Sequence, residues 1–201
     1  MNYVKDVKEL LMENNKLKYF SKEYWKQYWK KIVINLTIFF LVFLFLLAID
    51  LITKEFIFKW ENKEKKIVNT DYEIGNSFII FKSVLHKGTT IGLFETNLTI
   101  LHIISFFIIF ASLWATTFIK EKKSIIIVCF LAMVSAGSLG NMIDRFLFLG
   151  VRDIINLPWA NKGVFNFADI WLVLGGVGTV VSITIINLVN YFKTKKQNNN
   201  Q

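Results

Sequence analysis

Four long stretches of this chain carry no charged residue: Ile32–Ile49, Thr96–Ile119, Ser124–Ile143 and Ile170–Phe192. At a rise of about 1.5 Å per helical residue, each is long enough, or nearly so, to cross a hydrocarbon core of about 30 Å. A water-soluble domain has no use for four such runs. With 201 residues the natural reading is one domain: an all-α membrane protein with four transmembrane helices. The lone cysteine, Cys129, lies in the third run, has no partner for an internal disulfide, and reads as a buried packing residue.

A net charge of +9 suggests nucleic acid until it is partitioned along the chain. Residues 1–31 carry +4, the loop Lys120–Lys123 carries +2 and the tail after Phe192 carries +3, whereas 50–97 and 144–169 each sum to zero. In a four-span bundle all of the excess charge falls on one side. The positive-inside rule makes that side cytoplasmic and removes the argument for nucleic-acid binding. Both termini are then cytoplasmic.

Residues 1–31 read as a basic amphipathic helix or partly ordered arm. Its stretch YWKQYWKK, Tyr24–Lys31, interleaves aromatic rings that suit a headgroup layer with lysines that suit an anionic leaflet. The arm is too long and too charged for a cleaved signal peptide, so the first span is expected to stay as an anchor. The core domain is expected over 32–192, and 193–201 as a disordered tail. Ser77–Leu85 is strand-like after a Gly75-Asn76 turn, which predicts a small β-rich extracytoplasmic cap. The second outer connection, Gly150 to Asn166 with Pro158 and Trp159, is expected to form an interfacial helix or flap.

The direction of each span then sorts the polar residues. The first span runs outward and ends in Asp50, Thr53 and Lys54; the third runs outward and ends in Asn141, Asp144 and Arg145. Asp153 follows at the same level, and the fourth span begins inward from Asn166 and Asp169. All of these groups converge on the outer face. Ionisable groups beside a bilayer are costly and turn toward a bundle interior or a wet cavity. Two carboxylates sharing a poorly solvated site do not both ionise easily: one keeps a proton and the other can act as a base toward water. That is the requirement of aspartyl hydrolysis. Asp144 beside Arg145, and Asp50 four residues before Lys54, also fit plain ion pairs. His102 in the second span reads as a packing or inter-helix hydrogen-bonding residue. Ser135, Ala136, Gly137, Ser138 and Gly140 would allow close helix approach. The residues alone leave Asp144 and Asp153 as alternative partners of Asp169. Zinc and serine protease motifs are lacking: the sequence holds no HExxH and no Gly-x-Ser-x-Gly.

Five blocks in order, DLITK (50–54), HKGTTIG (86–92), AGSLGNMIDR (136–145), VRDI (151–154) and VFNFADI (164–170), resemble lipoprotein signal peptidase, the type II signal peptidase of bacteria. The resemblance covers about residues 45–180. It implies an intramembrane aspartyl endopeptidase that needs no metal or cofactor. Such an enzyme cuts prolipoproteins just before a cysteine that carries a diacylglyceryl group. Carried over by motif, the catalytic pair is Asp153 and Asp169, with Asp144 as a supporting residue. Asn141 and Asn166 would hydrogen-bond the pair or the substrate backbone. Asp50, Lys54 and Arg145 would brace the site, Gly140 and Ala168 belong to the matching blocks, and Gly88 with its loop would line the substrate groove. His86 stands where the family usually has Asn, and Thr89 and Thr90 replace small alanines. The implied partners are the lipid-modified precursors and membrane lipids, with the enzyme a monomer. The rival readings are a small ion-coupled transporter, which would place its charges near mid-span, and a noncatalytic assembly protein.

Overall fold

The computed structural model describes residues 22–87, 97–120, 124–160 and 163–199. Its helices are α1 (Lys22–Ile57), α2 (Leu98–Phe118), α3 (Ile125–Phe148) and α4 (Phe167–Asn199). All four are long and apolar enough to cross a membrane. Large side chains such as Phe40, Phe45, Phe107, Val177 and Val180 point outward and remain exposed. In lipid this costs nothing, because acyl chains solvate them as well as a protein core would. The chain is a multi-pass membrane protein, as its uncharged runs predict.

Two helices exceed the expected spans. α1 absorbs the Tyr24–Lys31 stretch into one continuous helix of 36 residues, about 54 Å long. Residues 1–21 of the expected arm lie outside the described residues. α4 runs on to Asn199, so the tail expected to be disordered is helical that far. Both extensions have one cause. A span already nucleated propagates at little cost through Lys, Gln and Thr, none of which breaks a helix.

α3 is the central helix, packed against α1, α2 and α4. Its contact with α4 depends on glycines on both sides. A Cβ at Gly137 would strike the Ala168 carbonyl, and one at Gly175 would lie 2.7 Å from the Phe130 carbonyl oxygen and 2.8 Å from the Val134 amide nitrogen. Those obstacles are backbone and cannot turn aside. Gly175→Ala is expected to lower stability by about 1–3 kcal/mol through overpacking, read as a lower unfolding midpoint in detergent.

At the end where α1 begins and α2 ends, polar groups fasten the two helices. Buried Asn35 donates to the carbonyls of Thr116 at 3.3 Å and Ile119 at 2.7 Å. It thereby satisfies acceptors that a helix C-terminus leaves open. The Lys120 ammonium lies 4.8 Å and 4.6 Å from the ring centres of Tyr24 and Tyr28, a cation–π contact with each.

The other end carries the cap. β1 (Trp60–Asn62) and β2 (Ile67–Val68) form a hairpin, and β3 (Glu73–Gly75), β4 (Ile80–His86), β5 (Val151–Asn156) and β6 (Val164–Phe165) form an antiparallel sheet in that order. The turn after Gly75 is held by Asn76, whose side chain accepts from the amides of Phe78 at 2.9 Å and Ile79 at 3.1 Å. The expected hairpin at Gly75-Asn76 is therefore present. The connection after Gly150 differs from expectation: it is a strand pair, not an interfacial helix. β5 is buried from Val151 to Ile155, so it had no solvent face to betray it by alternation. Trp159 donates from Nε1 to the Phe78 carbonyl at 3.1 Å, tying this connection to the β3–β4 turn. Phe58, Ile154 and Ile155 form a small core beneath the sheet.

Candidate active site

The sheet closes over the ends of α1 and α3 and the start of α4, and the polar residues meet there. Asp169 sits in the first turn of α4, where exposed amides and the helix dipole favour a carboxylate. Its Oδ1 accepts from Asn141 Nδ2 at 2.8 Å, and its Oδ2 accepts from the Asn166 amide at 3.3 Å. Asn166 ends the short loop before α4 and is fully buried. Its Nδ2 donates to Asp153 Oδ1 at 2.8 Å and to Asn141 Oδ1 at 3.2 Å, while its own Oδ1 accepts from the Asp169 amide at 3.0 Å. Each Asn166 side-chain hydrogen and its carbonyl oxygen therefore has a partner. Asp153 and Asp169 are joined through a rigid pair of asparagines.

The two carboxyls have different surroundings. Asp153, on buried β5, is 3% exposed, whereas Asp169 is half-buried and faces a cavity. Burial, and then the facing Asp169 charge, push the Asp153 carboxyl up to about 8, against the pull of the Asn166 hydrogen bond and the Lys54 charge. Asp153 therefore holds a proton at neutral pH.

Below the pair lies a charged brace. Lys54 Nζ reaches Asp50 Oδ2 at 2.8 Å, Asn141 Oδ1 at 3.1 Å and Asp144 Oδ2 at 3.3 Å, with both acidic side chains and the lysine fully buried. Asp50 also accepts from the Ala168 amide at 2.8 Å, which fixes the first turn of α4 to α1. Gly140 is needed where it stands, because a Cβ there would strike Asp50 Oδ2 and lie 3.4 Å from Ala168 Cβ.

Asp144 is held by β5. Arg152 donates to its Oδ1 from Nε at 3.1 Å and Nη2 at 2.9 Å, and the Arg152 amide donates to its Oδ2 at 3.0 Å. The same guanidinium reaches Glu55 Oε2 at 2.9 Å. Asp144 is thus ion-paired with Arg152. Arg145 lines the cavity, within the fields of Asp169, Asp153 and Asp144. Arg152 and Glu55 are the residues that sequence reasoning missed. A signal existed: neighbours on a strand point to opposite faces, so Arg152 could not follow Asp153 into the same contacts.

The cavity, about 440 Å³, is lined by Leu101, Ile104 and Ser105 of α2, by Ser138, Asn141 and Arg145 of α3, and by Asp169 and Leu172 of α4, among others. α2 and α4 pack on α3 but hardly on each other, so the cavity is a slot between them. His86, at the end of β4, places Nδ1 3.7 Å from Asp153 Oδ2. Gly88, Thr89 and Thr90 lie outside the described residues. His102 makes an edge contact with Phe146, 6.3 Å between ring centres. Among the described residues no group of three or more His, Cys, Asp and Glu side chains is arranged to hold a metal ion.

Four spans, a β cap and a polar site at the capped end define the class: a multi-pass membrane protein with its chemistry at one end of a helix bundle. Within that class the chain belongs to the signal peptidase II family, whose model matches residues 41–186 and so includes every candidate site residue. It is therefore a peptidase, and neither the carrier nor the assembly-protein reading stands. The lipoprotein signal peptidase of Fusobacterium nucleatum subsp. nucleatum is 29% identical over 155 residues, covering 73% of this chain and 88% of that one. The lipoprotein signal peptidase of Pelagibacter ubique is 29% identical over 167 residues, covering 82% and 92%. A bacterial membrane enzyme solved by the in meso method shares the fold with a TM-score of 0.60 at 24% identity, covering 73% of this chain and 87% of that one. A second such structure gives 0.58 at 24% identity, covering 72% and 91%.

Proposed function

We propose that this chain removes signal peptides from diacylglyceryl-modified prolipoproteins by aspartyl catalysis, with Asp153 and Asp169 as the catalytic pair. The observation that carries the reading is the pair itself. Two carboxyls of unequal burial are locked together by Asn141 and Asn166, at the head of an apolar slot open between α2 and α4. The half-buried Asp169 takes a proton from water. The buried Asp153, already protonated, donates to the scissile carbonyl oxygen as the tetrahedral intermediate forms. Asp169 then gives the proton taken from water to the leaving amine as the C–N bond breaks, and Asp153 recovers its own as the carbonyl re-forms. No metal or cofactor takes part in this scheme.

The slot suits a lipidated precursor that enters sideways from the bilayer. Its signal helix runs along Leu101, Ile104, Ile108 and Leu172, and its acyl chains stay in lipid. The basic turns at the start of α1 and the lysines at the end of α4 share one side of the bundle, which the positive-inside rule makes cytoplasmic. The cap and the site then face outward, and the Trp25 and Trp29 rings, 41% and 52% exposed, stand at the inner headgroup layer. The pair is built within one chain, so a monomer in the plasma membrane suffices for the chemistry.

The test is cleavage of a diacylglyceryl-modified prolipoprotein by purified protein in detergent with a chelator present. Cutting just before the lipidated cysteine is the expected result. A folded wild type that leaves this substrate intact sinks the proposal. A pH dependence follows as well. Asp153 must be protonated to donate, and its carboxyl is held up to about 8, so kcat/KM is expected to be retained at neutral pH and to fall as pH rises through that value. Activity that stays flat to pH 10, on the order of two units higher, would remove Asp153 as the acid.

A further inference from the structure

β4 ends at His86, and the strand register decides where its imidazole goes. Val84 lies opposite Asp153 and His86 opposite Val151. Opposed residues on paired strands share a face, as do residues two apart on one strand. His86 is therefore the diagonal neighbour of Asp153 on the same face, which brings Nδ1 to 3.7 Å from Oδ2. The other carboxyl oxygen, Oδ1, accepts from Asn166. The His86 side chain is 34% exposed and that of Asp153 only 4%, so the imidazole stands between the buried carboxyl and solvent. The hydrolytic scheme above makes no use of it.

We propose that His86 is a positioning residue that shares the Asp153 proton, so that the acid of the catalytic pair is a carboxyl–imidazole couple. This rests on the assignment of Asp153 and Asp169 given above. One proton has two places: on Asp153 with the imidazole neutral, or on His86 with Asp153 ionised. The total charge is the same in both. An imidazole can take up a proton, burial disfavours the ionised Asp153 carboxylate, and the 3.7 Å separation puts the imidazole beside it. The other charged groups that act on Asp153 are Lys54 of α1, Asp144 and Arg145 of α3, and Asp169 of α4. They set the field in which the proton is divided, and His86 adds the second place for it.

A shared proton is harder to remove. The one-proton state gains from having two forms, and deleting one form destabilises it. His86→Asn and His86→Gln keep a polar side chain that cannot take up the proton, and Asn is the residue the family usually carries here. In both variants the alkaline limb of the kcat/KM profile is expected to move to lower pH by about 0.3–1 unit. A second readout needs no catalysis. The chain has two histidines, His86 and His102, so imidazole NMR in micelles can follow both, with His86→Asn as the assignment control. Replacing Asp153 by Asn is expected to change how the His86 ring signals respond to pH, because the imidazole loses the carboxyl 3.7 Å away with which it shares the proton. If wild type cuts precursor but either the pH profile or the NMR response to pH is unmoved by these changes, the role of His86 is overturned and the catalytic pair stands. If the NMR coupling is present but wild type does not cut, the assignment of the catalytic pair falls instead, and the role of His86 in catalysis falls with it.

Discussion

Asp153→Asn and Asp169→Asn are each expected to slow precursor cleavage by about a thousandfold or more, the scale at which a general acid or base acts. The structure says why the two losses differ in kind. At Asp153, Asn can keep an oxygen toward Asn166 Nδ2, so the local geometry survives and only the transferable proton is lost. At Asp169 both oxygens accept hydrogen bonds, from Asn141 and from the Asn166 amide, so an Asn must turn its NH2 toward one of two donors. Asp169→Asn therefore removes the base and also loosens the asparagine bridge. Single-turnover cleavage with the folded state checked by circular dichroism measures both effects. Near-normal turnover in either folded variant would end the assignment. The comparison with Asp144→Asn matters most. Asp144 is clasped by Arg152 and Lys54, so its replacement should cost stability before it costs chemistry. A stable Asp144→Asn enzyme with a thousandfold loss would make Asp144 the true partner of Asp169.

The second large effect is on stability. Lys54→Met leaves Asp50 and Asp144 buried beside no ammonium, and removing one partner from a buried ionic group typically costs about 3–5 kcal/mol. Most of that is the cost of stranding the Asp50 carboxylate, since Asp144 keeps the Arg152 guanidinium, rather than the worth of the lysine. The double variant Lys54→Met/Asp50→Asn should therefore recover part of the loss, because a neutral Asn can still accept from the Ala168 amide. Cys129, the only cysteine and half-buried in α3, provides the assay: its reaction with a thiol-specific fluorophore on heating reports unfolding in detergent. A Lys54→Met protein with the wild-type midpoint would show that water reaches the brace.

The four spans were legible because a bilayer admits few ways to bury an uncharged run. The convergence of Asp50, Asn141, Asp153 and Asp169 at one end was legible too, since helix direction alternates from span to span. Three things were hidden. Helix ends were set too short at Lys22 and Asn199, because polar residues that permit a helix look the same in sequence as those that end one. β5 was taken for a flap because a strand buried on both faces has no alternation to read, and it carries two charges in six residues. Arg152 as a partner of Asp144 was missed because nearness in sequence favoured Arg145, whereas strand geometry turns Arg152 onto it. The asparagines could be named from their blocks. That a single Asn166 side chain spans from Asp153 to Asn141 is a fact of three dimensions.

The slot between α2 and α4 has helices for part of its wall and is open along the rest, the side that would meet hydrocarbon in a bilayer. Under the proposed reading, acyl tails of neighbouring phospholipids would fill the slot of a resting enzyme until a precursor displaces them. Substrate capture is then an exchange between two occupants, not the filling of a hole. The apparent affinity depends on the mole fraction of precursor in the bilayer and on how well the local tails fit the slot. The same protein in detergents of different chain length is, in this sense, measured against different competitors.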